Sequence, residues 1–213
     1  MKEELITRYS TKEERLNVWT HGIGLLLSIA GLPFLIFKSF EFSGFWEPAS
    51  LYIFGLSMIV LYSASTFYHA AKGAKLRRRL NIFDHAAIYV LIAGTYTPFT
   101  VIPLDGTLGW VLFGLTWGFA FAGIILKLFF TGKYDRLSTI MYVLMGWQIV
   151  FAIKPLMDNF PADGLKLLFA GGVFYTVGAI LYSIKKLPYN HAIFHVFVVL
   201  GTMSHYFSVL YYI

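Results

Sequence analysis

The sequence contains no cysteine in its 213 residues. Disulfides, iron–sulfur clusters, cysteine-ligated zinc and thiol catalysis are therefore excluded. Charge is scarce as well: Asp, Glu, Lys and Arg make up 13% of the chain, against about 25% in an average soluble domain. Hydrophobic residues make up 58% and the mean hydropathy is +0.68. Such a composition excludes both a water-soluble globular protein and a disordered one. Internal repeats, low-complexity tracts and long linkers are also missing, so residues 1–213 read as a single domain. A cleaved signal peptide is not expected. The chain opens on the mixed charges Met1-Lys2-Glu3-Glu4, and its first apolar run is longer than the roughly 7–15 residues of a secretory core.

Where charge is rare, its gaps carry the information. Charge-free runs cover residues 16–37, 48–71, 85–104, 106–126, 137–153, 167–184 and 187–213. A spanning helix needs about 20 mostly apolar residues, with a range of roughly 17–25. The expected architecture is an all-α membrane protein, a bundle of seven transmembrane helices. Their spans are expected at about 16–37, 48–71, 82–104, 106–127, 136–154, 165–184 and 189–211. Gly114 and Gly118 form a GxxxG in the fourth, where close helix packing is the expected use. Fourteen of the 17 Lys and Arg residues fall on one side of this topology, in the N-terminal tail and in the loops after helices two, four and six. Lys38, Lys154 and Lys166 fall on the other. Positive loops stay in the cytoplasm, which places the N-terminus inside and the C-terminus outside. The surplus of +6 then reflects topology, and no nucleic-acid partner is expected. The run Lys75–Arg79 could also meet anionic lipid headgroups.

Five of the six histidines fall at the cytoplasmic end of four expected helices. His21 lies in the first turns of helix one, together with Asn17. His69 ends helix two. Asp84 and His85 open helix three, and His191 and His195 open helix seven. Ionisable residues inside a bilayer are expensive and face the bundle interior. His191 and His195 are spaced i, i+4 on one helical face, as are Ser65 and His69, so each pair can serve one site. His69, His191 and His195 would form a three-histidine set that leaves a fourth metal position open. Asp84 is placed to hydrogen-bond a water molecule there or a ligand imidazole. Asn17 and His21, with Glu14, read as a polar network bracing the site. His85 points about 100° away from Asp84 and reads as a supporting or loop-facing residue. His205, ten residues beyond His195 and about 15 Å further along the helix, is expected to make an interhelical hydrogen bond.

At these residues the sequence resembles the hemolysin III family, the bacterial branch of the progestin and adipoQ receptor superfamily. The resemblance runs over nearly the whole chain and rests on three blocks. One is Glu14-Arg15-Leu16-Asn17-Val18-Trp19-Thr20-His21. Another is Ser65-Thr66-Phe67-Tyr68-His69, followed by Phe83-Asp84-His85 and Gly94-Thr95-Tyr96-Thr97-Pro98. The last is His191-Ala192-Ile193-Phe194-His195, followed by His205. The resemblance implies a multi-pass protein of the cell membrane, in bacteria the inner membrane. It implies Zn²⁺ held by His69, His191 and His195, with Asp84 against the zinc-bound water and Ser65 beside the metal. The wider superfamily is similar to the alkaline ceramidases, which implies zinc-dependent hydrolysis of a lipid amide or ester.

A non-enzymatic zinc protein, acting as a receptor or a regulator of membrane lipids, uses the same residues and differs only in turnover. Direct cytolysis fits less well, because seven spans and positive-inside loops describe a resident membrane protein. A bis-histidine haem through His69 and His195 suits the i, i+4 pair poorly, and a transporter would want charges at the midplane. The expected partner is a membrane lipid, and a homo-oligomer remains open.

Overall fold

A computed structural model describes residues 9–130 and 134–213. Lys2, Arg8 and Lys133, counted above for topology, lie outside the described residues. The chain runs through α1 (Thr11–Ser39), α2 (Trp46–Ala70), α3 (Ala74–Val101), α4 (Thr107–Phe130), α5 (Asp135–Trp147), a 3₁₀ turn (Gln148–Ala152), α6 (Ile153–Asn159), α7 (Ala162–Ser183) and α8 (Asn190–Tyr212). No strand occurs among the described residues. α1 opens on a Ser10 N-cap, whose hydroxyl accepts from the Glu13 amide at 3.2 Å. Glu13 and Glu14 lie in the first turn, where acidic groups favour the helix dipole.

Six helical segments among the described residues are long and apolar enough to cross a membrane: α1, α2, α4, the α5–α6 unit (Leu137–Asn159), α7 and α8. The expected third span is the exception. α3 is a 28-residue helix, but Arg77, Asn81, Asp84 and three threonines keep it polar. The reason is its position. α3 packs between α2 and α4 and also touches α5 and α8, so more than half of its residues are buried. Neighbouring helices, not lipid, surround it. It also begins eight residues before the expected boundary. The segment expected to be a basic loop, Lys75–Arg79, is its first helical turns, made of good helix formers.

The bundle is polar inside and apolar outside, as lipid requires. Trp19, Leu26, Phe37, Phe121, Phe129 and Phe151 are exposed, while Asn17, Ser57, Ser65, Thr97 and Thr116 are buried. Buried hydroxyls return to their own helices: Ser28 donates to Gly24 O at 2.8 Å and Thr97 to Ala93 O at 2.8 Å. The apolar core joins Phe54, Met58, Leu61, Leu91, Phe99, Val198 and Val209. Close packing uses other glycines than expected. A Cβ on Gly94 would lie 2.3 Å from Ser57 Oγ, and one on Gly123 2.2 Å from the Tyr89 ring. Gly114 and Gly118 have nothing within 4 Å of theirs. The GxxxG of α4 therefore lies on an open face and packs against no helix among the described residues. In the fifth span, the 3₁₀ turn frees backbone groups that Tyr96 recovers. Its hydroxyl donates to Gly146 O at 2.9 Å and accepts from the Ile149 amide at 3.0 Å.

Candidate metal centre

α1, α2, α3 and α8 meet at one end of the bundle, and five of the expected site residues converge there. His69 ends α2, and its ring is buried. His191 and His195 occupy the first two turns of α8, one turn apart. One ring nitrogen of each can be chosen so that all three lie within 4.8 Å of one another. Asp84, buried on α3, lies against Ser65 and within electrostatic reach of His69. The Ser65 hydroxyl is buried and faces the Asp84 carboxyl.

Hydrogen bonds fix which nitrogens face inward. His69 Nδ1 donates to Glu14 Oε2 at 2.7 Å, so its Nε2 keeps a lone pair. His195 Nδ1 lies 3.4 Å from the Asn17 carbonyl and 3.3 Å from Thr20 Oγ1. That hydroxyl already donates to Leu16 O and Asn17 O. His195 Nδ1 is therefore the donor, and its Nε2 also faces the site. His69 Nε2 and His191 Nε2 stand 3.2 Å apart. At that distance the pair shares either a proton or a cation. The spacing matches the edge of a tetrahedron with metal–nitrogen bonds of about 2.0–2.1 Å. The residues thus fit a small metal ion on two counts: the donor set and the spacing.

Around this set runs a ring of supporting groups. Glu14 joins His69 to the Arg77 guanidinium through its second oxygen, and Arg77 lies 4.6 Å over the Tyr68 ring. Asn17 Nδ2 is 3.3 Å from His69 Nδ1. His21 is buried and stacked on His195, with ring centroids 3.5 Å apart, and neither of its ring nitrogens has a hydrogen bond. Glu14 and Asn17 thus lie beside His69, whereas His21 makes a ring contact with His195. Tyr9, just before α1, stacks on His191 at 4.5 Å. Burial, with Tyr182 and Tyr68 beside it, pushes the Tyr9 phenol up, so the ring stays neutral. His85 turns back on its own helix, its Nδ1 donating to Asn81 O at 2.8 Å, and does not join the cluster. His205 donates from Nε2 to Leu168 O at 3.0 Å across the α7–α8 contact.

Arg77, Thr20 and Tyr9 are functional neighbours that the sequence did not single out. Arg77 looked like one of five topological cations. The helical spacing of Glu14, Asn17 and His21 did signal a shared face. Carboxylates that hold a ligand imidazole are worth about 10–100-fold in metal affinity. Glu14→Gln is accordingly expected to weaken zinc binding by about that factor, measured by competition with a chromophoric chelator. Unchanged affinity would remove Glu14 from the site.

The family model described as "Haemolysin-III related" matches residues 9–206. The chain is 48% identical over 204 residues to the "Hemolysin-3 homolog" of Bacillus subtilis (strain 168), covering 96% of each chain. It is 45% identical over 212 residues to "Hemolysin-3" of Bacillus cereus, covering 99% of this chain and 97% of the relative. The human "Monocyte to macrophage differentiation factor" is 28% identical over 207 residues, 92% of this chain and 83% of that one.

Proposed function

This chain belongs to the haemolysin-III related family and is a multi-pass protein of the cell membrane; on that premise, we propose that it is a zinc-dependent hydrolase of a lipid amide or ester at the cytoplasmic leaflet. The observation that carries the proposal is the meeting of three clustered imidazoles with a buried carboxyl and a buried hydroxyl beside it. In this reading α3 is the seventh span, since its 28 residues rise about 42 Å at 1.5 Å each. The N-terminus lies in the cytoplasm, as the cation asymmetry requires.

His69, His191 and His195 would hold zinc, which when bound supplies Lewis acidity that polarises a carbonyl and makes a water molecule acidic near neutral pH. Three protein ligands leave one position open, the pattern of catalytic rather than structural zinc. Asp84 takes the proton of the attacking water and passes it to the leaving nitrogen or oxygen. Ser65 turns its hydroxyl to the oxyanion that develops on the substrate carbonyl. Glu14, clamped by Arg77, keeps the His69 proton on Nδ1. Because the site lies at a bundle end, the linkage between headgroup and chains of a membrane lipid can reach it while the chains stay in the bilayer.

The test is reconstitution of the zinc-loaded protein in vesicles containing lipid amides and esters, with released fatty acid measured by mass spectrometry. Release above that of a His69→Ala preparation supports the hydrolase. Loaded, folded protein that releases none across both linkages favours the non-enzymatic reading, in which the metal ties α2 to α8 and the protein senses or regulates lipid.

A further inference from the structure

The three imidazoles of the cluster are steadied by different means. His69 is held by a carboxylate at 2.7 Å, and only tilted rings lie near it. His195 has its Nδ1 contact to Asn17 O and also a ring stacked on its face: His21, 3.5 Å away and within 9° of parallel. His191 has no polar partner at Nδ1, although a metal-bound histidine ordinarily gives that proton to an acceptor. What it has is Tyr9, 4.5 Å away and 16° from parallel. Both α8 imidazoles are therefore covered by a flat ring from one stretch of chain, the entry and first half of α1.

We propose that Tyr9 and His21 are positioning residues that clamp the metal-binding imidazoles of α8 by stacking, so that the N-terminal stretch sets the geometry of the metal centre. The inference rests on the metal-site reading and adds the means by which His191 and His195 are held. A metal ion withdraws electron density from the imidazole that binds it. A neutral aromatic face next to that imidazole then interacts more favourably in the loaded state than in the empty one. His21 contributes its ring and not its nitrogens, which explains a buried histidine with both nitrogens unpartnered. Tyr9 matters more than His21, because stacking stands in for the Nδ1 partner that His191 does not have.

The experiment is equilibrium titration of metal-stripped, full-length protein with Co²⁺, followed by the visible absorption of the bound ion. Four single variants are compared, Tyr9→Leu, Tyr9→Phe, His21→Leu and His21→Phe, with size-exclusion profiles as the folding control. Stacked aromatic pairs are worth about a three- to tenfold change in an equilibrium constant. Tyr9→Leu is expected to weaken Co²⁺ by about tenfold and His21→Leu by about threefold. Both should alter the band shape that reports coordination geometry. The phenylalanine variants keep the ring and are expected to stay within about twofold of wild type. Phenylalanine variants as impaired as leucine variants overturn the clamp, because hydroxyl or nitrogen would then be the acting group. Leucine variants equal to wild type overturn it too. If a leucine variant does not fold, its phenylalanine counterpart still decides. A wild-type protein that binds no Co²⁺ overturns the metal reading, and the clamp with it.

Discussion

Purified full-length protein is expected to carry close to one zinc per chain, and a His191→Ala/His195→Ala variant essentially none. The two imidazoles project from one face of α8 toward His69, with His191 Nε2 and His69 Nε2 3.2 Å apart. Removing both leaves His69 alone on α2, and a single imidazole does not retain zinc against a mild chelator. Structural zinc sites in small domains contribute about 10–16 kcal/mol, so the loss is all-or-none at ordinary concentrations. Elemental mass spectrometry on detergent-purified protein gives the count. His205→Ala serves as the control, since His205 is spent on the Leu168 carbonyl of α7. Equal metal in wild type and the double variant, or none in a well-folded wild type, would sink the three-histidine site.

Asp84→Asn is expected to lower lipid hydrolysis by about 10²- to 10⁴-fold, the range for loss of a general acid–base group. Zinc content should stay near that of wild type. The separation follows from the geometry: the converging ligand atoms all come from histidines, while Asp84 approaches from α3 beside Ser65. Asparagine keeps the shape and the capacity to accept a hydrogen bond but cannot take a proton. Ser65→Ala should cost less metal still, and about 10²-fold or more in rate if its hydroxyl supports the oxyanion. Fatty-acid release and elemental analysis on the same preparation decide the matter. Full activity in Asp84→Asn removes it from the chemistry, and loss of metal in that variant makes it a structural residue.

The helical membrane architecture was legible because it rests on length and hydropathy, which a linear sequence displays directly. α3 shows where that legibility ends. Hydropathy assumes that a spanning helix faces lipid, and α3 faces helices on most sides. The i, i+4 pairs His191–His195 and Ser65–His69 were legible because helical spacing alone puts them on one face. Their convergence across α2 and α8, with Asp84 from α3, needed only a shared depth. Arg77 was not legible: in sequence it is one of five cations near a loop, and only tertiary structure sets it against Glu14. Tyr9 was hidden for a related reason, since it precedes the first span and reaches His191 from more than 180 residues away in sequence. The glycines erred in the opposite direction. Gly114 and Gly118 match a packing motif, yet the close approaches belong to Gly94 and Gly123.

The polarity of α3 also bears on how the protein is made. Six segments among the described residues are apolar enough to span by themselves and α3 is not among them, because it carries Arg77 to Arg79 and Asp84 and few lipid-facing residues to offset them. It does not partition into the bilayer as an independent unit. Its entry depends on α2 being present to receive it and on α4 following to close over it. The helix that brings Asp84 to the candidate metal centre is thus the one whose insertion leans most on its neighbours, and the centre is complete only once α8 joins α2 and α3.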